Sequence, residues 1–375
     1  MTETPLFDPA DFRIPPGITH VCAGGETPFL HRHDAALQRY AADKSRGMPG
    51  RTAQEAVVER ARARAAALLG TDAGSIGFVS SVAEGMSMLV ESLDWRPGDN
   101  VCLDPDEYPS LVAPLALALP EGVELRITPL ADPAALAGKL DRRTRLVAVS
   151  HVSFLTGRRY DLATLRHVTE AVGALLAVDH TQAAGYRPLD GAAEADFAFC
   201  AGYKWLLGTT GAAIAYWNRV RQPGWAPRTA GWHSIASMGA SSERPDHRNR
   251  PVLKPDAMRF TRGNPAHAAL YVLDEALDYL AAHDPAVVCR HVQGLTAALL
   301  GELEARGIPS TTPADPARHG ASVCIATPRA DALVAALEPL GVLAWGGRGR
   351  VRFSFHGYNA LRDVRAIAAA MEVLW

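Results

Sequence analysis

The feature that most constrains the fold of this 375-residue chain is a series of short apolar segments, several of them separated by stretches of helical length. Buried strands that alternate with helices are typical of a largely parallel sheet. We therefore predict an α/β fold whose large domain holds a mainly parallel, seven-stranded sheet. The predicted strands are residues 76–80, 100–103, 123–128, 146–151, 175–179, 197–200 and 212–217.

The chain divides into three predicted regions. Residues 1–50 are rich in Pro, Gly and His and lack periodicity, which indicates an irregular arm that joins the small domain or contacts another subunit. Residues 51–265 form the predicted large domain. Residues 266–375 form a smaller α+β domain.

Local signals mark several element boundaries. Thr52 and Glu55 form a capping box at the start of a helix that Gly70 ends, and Asn359 is a suitable N-cap for the final helix, which we expect to reach Leu374. Residues 218–265 have the composition of a loop. Further predicted helices span 265–282 and 285–306, and further strands lie at 322–327 and 350–355.

Composition points to a small-molecule partner. The formal charge of −2 and the absence of a long apolar run exclude a general affinity for nucleic acid or a membrane span. The N-terminus lacks the features of a signal peptide, and the five cysteines are scattered singly, so we expect a cytoplasmic protein. No metal site is predicted, because His31 and His33 lack a distant ligand cluster and are expected at the surface or in a substrate channel.

Lys204 and Asp179 are the strongest candidates for chemistry. Lys204 follows a predicted strand and lies between Tyr203 and Trp205, so burial should lower its pKa and favour the neutral amine. A neutral amine forms a Schiff base with an aldehyde. Asp179 ends another strand, where a carboxylate can hold a pyridine nitrogen in its protonated form. The pair predicts pyridoxal 5′-phosphate as cofactor.

Four other positions fit around such a cofactor. Gln182 could donate to its phenolic oxygen, and Tyr108 could lay its ring over the heteroaromatic plane. Ser81 begins a capping box at a helix N-terminus, which suits a phosphate dianion. Arg352 alternates with apolar residues on a late strand and could bind a substrate carboxylate through two hydrogen bonds.

These segments resemble the class V aminotransferase group of fold-type I pyridoxal-phosphate enzymes, which includes cysteine desulfurases, kynureninase and isopenicillin-epimerase-like proteins. The resemblance runs from about residue 20 to the end and is strongest at residues 178–185 and 201–204. It implies that Asp179 binds the pyridinium nitrogen, that Gln182 contacts the phenolic oxygen, and that Lys204 is the Schiff-base residue. Arg352 matches the arginine that binds the substrate carboxylate.

The resemblance also implies a homodimer with active sites at the subunit interface. Tyr108 matches the aromatic residue that stacks on the ring, Asn264 a residue that reaches the other subunit's phosphate, and Gly25 belongs to a segment expected to contact substrate. The remaining phosphate contacts implied by the resemblance are Ser81, Val82, Ala83, Tyr203 and Trp232.

The absence of one family residue reduces the number of expected reactions. Desulfurases carry a catalytic cysteine shortly before the arginine strand, but residues 343–349 contain none, and Cys324 has the pattern of a packing residue. We therefore expect an aminotransferase first, with a β-lyase (a C–S lyase or a kynureninase-like enzyme) or an amino-acid epimerase as alternatives. A non-catalytic cofactor-binding regulator is disfavoured by the presence of both Lys204 and Arg352. An NAD-linked enzyme is disfavoured by the lack of a GxGxxG turn.

Overall fold

A seven-stranded sheet forms the centre of the computed structural model, which describes residues 3–237 and 251–375. Within these residues its strand order is β2-β8-β7-β6-β5-β3-β4, and only β8 is antiparallel to its neighbours. All seven predicted strands are confirmed. They are β2 (Ile76–Val79), β3 (Asn100–Leu103), β4 (Glu124–Ile127), β5 (Thr144–Ser150), β6 (Leu175–Asp179), β7 (Phe197–Ala201) and β8 (Ala213–Trp217).

Both faces of this sheet are buried except at the edge strand β4, whose residues are exposed or partly exposed. Along β5, Leu146 and Ala148 pack into one apolar cluster while Val147 and Val149 pack into another on the opposite face. Strands covered on both faces are nearly continuous runs of apolar residues, which is why they stand out in the sequence. The covering helices are α2 (Met48–Leu68), α3 (Val82–Ser92), α4 (Pro109–Ala118), α5 (Pro133–Ala137), α6 (Leu162–Val172), α7 (Gly191–Glu194) and α8 (His267–Ala281).

The prediction of an irregular arm is wrong for residues 32–44, which form helix α1 (Arg32–Lys44). Its sequence is polar, and Arg32 forms an ion pair with Asp278 of α8 at 2.9 Å. His33 is fully buried and packs edge-on against Phe29 with the ring centroids 4.4 Å apart, so the expected surface or channel location is also wrong for His33.

Two predicted helix starts are corrected. Helix α2 begins at Met48 with a proline in its first turn, and Thr52 lies inside it and donates to the Met48 carbonyl at 3.4 Å. The predicted end is confirmed, because Gly70 follows the helix in the left-handed region with φ of 61°. The last helix, α11 (Leu361–Leu374), is preceded by Ala360, while Asn359 donates to the backbone of an N-terminal strand at 3.0 Å.

Segments from the N-terminal and C-terminal parts of the chain pack together outside the central sheet. Strand β1 (Thr19–His20) pairs in parallel with β12 (Val342–Leu343), so the N-terminal segment is built into the C-terminal region. The other elements there are α9 (Pro285–Ala305), α10 (Ala330–Leu337) and the antiparallel strands β11 (Ser322–Ala326), β13 (Trp345–Gly347) and β14 (Arg350–Ser354).

The predicted loop at 218–265 is only partly correct. It contains the short strands β9 (Ile235–Ser237) and β10 (Val252–Leu253) and a 3-10 turn, Ala257–Phe260, while residues 238–250 lie outside the described residues. None of the helices in the described parts of the chain is both long and apolar enough to cross a membrane.

Candidate active site

A cleft of about 210 Å³ opens at the carboxyl ends of β3, β5, β6 and β7. Ligands of open α/β sheets collect at this edge because neighbouring strands deliver their following loops to one place. Most of the cofactor positions predicted from the sequence meet here. The predicted residues that line the cleft are Ser81, Val82, Tyr108, Asp179, Gln182, Tyr203 and Lys204.

Lys204 is held by its own backbone in the turn between β7 and β8. Its carbonyl accepts hydrogen bonds from Thr27 Oγ1 at 3.0 Å and from Leu207 N at 2.8 Å. The side chain is 6% exposed. Burial and the Arg352 guanidinium lower the pKa of Lys204 to about 8, against the opposing effect of Asp179. Near physiological pH the neutral amine is therefore a minority form, but a far larger fraction than for an ordinary lysine, and it predominates above about pH 8.

Asp179 is a buried carboxylate at the end of β6. Its Oδ1 accepts a hydrogen bond from Thr181 N at 2.8 Å, which fixes the side chain at the base of the cleft. Burial raises the pKa of Asp179, and this rise is limited by the Thr181 hydrogen bonds and by the charge of Lys204. A buried acid without a neighbouring guanidinium is suited to pairing with a cationic ring nitrogen.

Gln182 connects the cleft to the N-terminal segment. Its Nε2 donates to the Gly24 carbonyl at 2.9 Å, and a Cβ on Gly24 would lie 2.9 Å from Gln182 Oε1, 2.8 Å from Trp205 and 2.7 Å from Ser354 Oγ. No side chain fits at Gly24 without moving one of these three groups. The approach of this segment thus fixes the Gln182 amide.

We expect Gly24→Ala to destabilise the protein by about 1–3 kcal/mol and to weaken cofactor retention, because the added methyl displaces Gln182. Thermal unfolding and the cofactor content of the purified protein measure the two effects. Gly301→Ala is the matched control, since that helical glycine has open space around it and alanine favours helix. Equal behaviour of the two variants would contradict the close packing at Gly24.

The N-terminus of α3 provides the predicted phosphate position. Ser81 Oγ accepts from Glu84 N at 3.1 Å, which confirms the N-cap, and the first-turn N–H groups of Val82 and Ala83 have no partner within the helix. Ser81 and Val82 line the cleft, but Ala83 is not among its lining residues. Thr210, which the sequence analysis missed, lines the same cleft from the turn before β8.

Two tyrosine rings flank the Lys204 amine. The ring centroids of Tyr108 and Tyr203 lie 5.2 and 5.3 Å from Lys204 Nζ. Tyr108 packs edge-on against Phe154 at 4.8 Å between centroids, so its orientation is set by a neighbour that the sequence did not identify. Burial raises the pKa of Tyr203 to about 12, which keeps its hydroxyl neutral and able to donate.

Glu107, which the sequence analysis also missed, connects the loop of Tyr108 to Ser150 at the end of β5. It is 5% exposed and accepts hydrogen bonds from Ser150 N at 2.8 Å, Ser150 Oγ at 2.7 Å and Tyr108 N at 3.1 Å. Burial raises its pKa to about 7. The only sequence signal was its place directly before Tyr108.

Arg352 lies in an adjoining cleft of about 330 Å³ that shares Lys204, Tyr108 and Tyr203 with the first. The guanidinium is 2% exposed and donates from Nη1 to the Phe154 carbonyl at 2.9 Å, while its Nε has no acceptor. Among the described residues, no carboxylate forms an ion pair with Arg352. A buried cation without a protein anion is suited to an anionic ligand.

Gly25 and Cys22 also line this second cleft, beside Trp345. Trp345 of β13 pairs with Arg352 of β14, and the Arg352 guanidinium carbon lies 4.4 Å from the centroid of the Trp345 ring. The indole ring therefore helps to position the guanidinium. The predicted substrate position of Gly25 therefore coincides with that of Arg352. Cys22 was not predicted, because nothing in the local sequence indicates that the N-terminal segment reaches β14.

Trp232 and Asn264 do not line the cleft of their own chain. Trp232 is 61% exposed, with the Arg51 guanidinium carbon 5.5 Å from its ring centroid, and Asn264 accepts a hydrogen bond from Arg51. Both lie on the surface, so the structure of a single chain leaves their predicted phosphate contacts as predictions.

The described residues include one group with three potential metal ligands, His151, His180 and Glu194. His151 Nδ1 lies 3.1 Å from His180 Nδ1, and His180 Nε2 lies 3.7 Å from Glu194 Oε2. Burial lowers the pKa of His180 to about 3 and raises that of Glu194 to about 7. Arg159 and Arg187 add positive charge beside the group, which disfavours a cation. That the chain has no metal site stays a prediction.

Comparison with known proteins identifies related sequences. The model of the aminotransferase class-V family matches residues 27–367. A probable cysteine desulfurase of Methanothermobacter thermautotrophicus is 24% identical over 342 residues, which cover 84% of this chain and 83% of the relative. A cysteine desulfurase of Pectobacterium carotovorum is 30% identical over 280 residues, which cover 72% of this chain and 66% of the relative.

Solved structures share the whole architecture. The apo structure of a cysteine desulfurase from Thermococcus onnurineus NA1 has a TM-score of 0.88 at 21% identity and covers 100% of this chain and 98% of that chain. A complex of the cystine C–S lyase C-DES with its product cysteine persulfide has a TM-score of 0.86 at 22% identity and covers 95% and 98%. At these identities the likeness shows a common fold.

Proposed function

The chain belongs to the class V aminotransferase family of fold-type I enzymes, which use pyridoxal 5′-phosphate, and from this premise we propose a β-lyase that cleaves the Cβ–S bond of a sulfur-containing amino acid. The observation that carries an amino-acid substrate is the buried, unpaired Arg352 guanidinium in a cleft shared with Lys204. The names of the relatives and structural neighbours support the lyase alternative better than the aminotransferase that the sequence analysis ranked first.

The side chains of the cleft fit the cofactor by their chemistry. When bound, pyridoxal 5′-phosphate supplies an aldehyde that condenses with amines and a pyridinium ring that withdraws electrons from the substrate. We assign Lys204 to the aldehyde, Asp179 to the ring nitrogen, Gln182 to the phenolic oxygen and Tyr108 to the ring face. The residues assigned to the phosphate are Ser81, Val82, Ala83 and Tyr203, with Trp232 and Asn264 acting from a second subunit.

We assign Arg352 to substrate binding and Lys204 to proton transfer. Arg352 binds the α-carboxylate through N–H groups that the Phe154 carbonyl leaves free, and so orients the bonds of Cα. Lys204 has a pKa of about 8 and is neutral above that pH, and we assign it as the base that accepts the Cα proton. Loss of that proton allows the Cβ–S bond to break, and the sulfur leaves with the bonding electrons. The organic product hydrolyses to pyruvate and ammonia.

The identity of the sulfur product follows from the substrate. A thioether or thiol substrate would release a thiol or sulfide, whereas a disulfide such as cystine would release a persulfide. Desulfurases carry their cysteine in the region that corresponds to residues 343–349. Here this region contains strand β13 and the turn to β14, and it has no cysteine. We therefore propose release of the sulfur species into the cleft in place of transfer to that loop.

A product assay tests this function. Protein loaded with pyridoxal 5′-phosphate is given cystine, cysteine, a cysteine thioether and alanine, and pyruvate, ammonia and reduced sulfur are measured. We expect pyruvate and ammonia in equal amounts, only from amino acids with sulfur at Cβ. Keto acid that forms without ammonia and requires an added 2-oxo acid would contradict the lyase and identify an aminotransferase. Inversion at Cα without either product would identify an epimerase.

A further inference from the structure

Cys22 is tied to the strand that carries Arg352. It follows β1, and a parallel bridge joins it to Ser354, two residues beyond Arg352 on β14. Ser354 N donates to the Val21 carbonyl at 2.7 Å, and Ala23 N donates to the Ser354 carbonyl at 3.4 Å. The backbone of Cys22 is therefore positioned relative to Arg352 by main-chain hydrogen bonds on both sides.

A tight turn directs the thiol toward the second cleft. Gly25 N and Glu26 N both donate to the Cys22 carbonyl at 2.8 Å. A Cβ placed on Gly25 would lie 3.1 Å from both Cys22 Sγ and the Trp345 side chain, so the sulfur and the indole face the same small space. Both residues line the cleft that contains Arg352.

Cys22 differs from the other four cysteines of the chain. Each of the others is buried, with at most 8% of its surface exposed, whereas Cys22 is partly exposed and is the only one of the five to line either cleft. Burial and, to a smaller extent, the Glu26 carboxylate raise the pKa of the Cys22 thiol, and the backbone N–H of Glu26 and the Arg352 guanidinium partly offset that rise. The thiol is thus available to a ligand in the cleft, with a reactivity that increases with pH.

The second observation that points to a ligand is Arg352 itself. Its guanidinium is 98% buried, its Nε has no acceptor among the described residues, and it lines the same cleft as Cys22. A ligand whose carboxylate pairs with Arg352 has its other atoms confined between Lys204, Trp345 and Cys22.

We propose that Cys22 is a sulfur-accepting thiol, which takes the outer sulfur of an amino-acid persulfide whose carboxylate is bound by Arg352. The persulfide is the product that the proposed lyase function supplies from a disulfide substrate, so this supply rests on that function. Its carboxylate belongs to the half of the disulfide that Arg352 did not hold during cleavage, so it binds Arg352 after the three-carbon fragment has left. The Cys22 thiolate attacks the outer sulfur, a new S–S bond forms, and the S–S bond of the ligand breaks. The released cysteine thiolate takes up the proton that Cys22 lost. No external oxidant or reductant takes part, because the oxidation state of the transferred sulfur is unchanged.

The test is a mass-spectrometric map of all five cysteines in the protein loaded with pyridoxal 5′-phosphate. The protein is treated either with cystine or with preformed cysteine persulfide, and thiols and persulfides are then trapped by alkylation. We expect one added sulfur on the Cys22 peptide, at roughly tenfold or higher occupancy than on Cys289. Cys22→Ser should remove this signal, while Cys289→Ser, the matched control, should retain it.

Recognition by Arg352 is tested with a persulfide that lacks the carboxylate. Cysteine persulfide should transfer sulfur to Cys22 at least roughly tenfold faster than the persulfide without a carboxylate does. Arg352→Gln should abolish this difference. Loading from added persulfide but not from cystine would contradict the lyase function and still support the role of Cys22. No loading of Cys22 from added cysteine persulfide, or equal loading with and without the carboxylate, would overturn the inference.

Discussion

Replacing Lys204 with alanine is expected to lower the rate of product formation on the order of 10⁴-fold, which would be the largest effect of any single substitution in the cleft. The variant loses both the amine that we assign to the cofactor aldehyde and the base that accepts the Cα proton. Initial rates with the best substrate of the product assay measure this loss. Lys204→Arg should be equally inactive, because it retains a charge but cannot supply a neutral amine.

The pKa of Lys204 gives this prediction a pH dependence. An amine whose pKa is lowered to about 8 is charged below that pH and neutral above it. The rate at which protein stripped of cofactor takes up pyridoxal 5′-phosphate should therefore rise through about pH 8 and then level off. An ordinary lysine would still be gaining reactivity near pH 10.

Lys139→Ala is the control, since that side chain is exposed and lines neither cleft. It should match the wild-type protein in rate and in pH profile. Substantial turnover by Lys204→Ala, or a profile that rises only near pH 10 in the wild-type protein, would contradict the assigned role.

Replacing Arg352 with glutamine is expected to cost about 2–5 kcal/mol of transition-state binding, a loss in kcat/KM of roughly 30- to 5,000-fold. Among the residues that the structure describes, Arg352 supplies the only buried guanidinium that lines either cleft, so the substitution leaves the substrate carboxylate without its charged partner. The variant should still bind pyridoxal 5′-phosphate, because none of the cofactor contacts that we assign involves Arg352. Steady-state kinetics and the visible absorption of the bound cofactor separate the two effects.

Arg350→Gln provides the matched control on the same strand. Arg350 is two residues away on β14 but does not line the second cleft, so its loss should change kcat/KM by less than about threefold. If both variants lost activity equally, the effect would come from damage to β14, and carboxylate binding by Arg352 would be contradicted.

Local sequence signals predicted the part of the site that follows the central sheet. Asp179 is the last residue of β6 and Lys204 follows β7 by three residues; both strands are buried on both faces, and such strands are recognisable as short apolar runs. Once the strands were placed, the edge of the sheet that holds the site followed from topology. The positions of Gln182 and Tyr108 followed from the same strand ends.

The contribution of the N-terminal segment could not be predicted in this way. Thr27, Gly24 and Cys22 reach the cleft because β1 pairs with β12 and Cys22 bridges to Ser354, more than 300 residues away in sequence. A two-residue strand carries no periodicity, and pairing over this separation leaves no local mark. The sequence analysis therefore found no thiol for the cleft.

Helix α1 was missed for a different reason. Only His33 and Ala36 of its thirteen residues are buried, so the helix shows little apolar periodicity. It is held against α8 partly through ion pairs of Arg32 with Glu275 and Asp278. Attachment of this kind depends on charges contributed by another helix, which a search for apolar periodicity cannot detect.

Covalent trapping of the cofactor tests most directly that Lys204 is the centre of the site. Sodium borohydride reduces the bond between an aldehyde and an amine, so the modified lysine can be found by peptide mass spectrometry. The chain has four lysines, at positions 44, 139, 204 and 254, which makes the outcome unambiguous. We predict a pyridoxyl group on Lys204 alone. A pyridoxyl group on one of the other three lysines, or on none, would contradict the assignment.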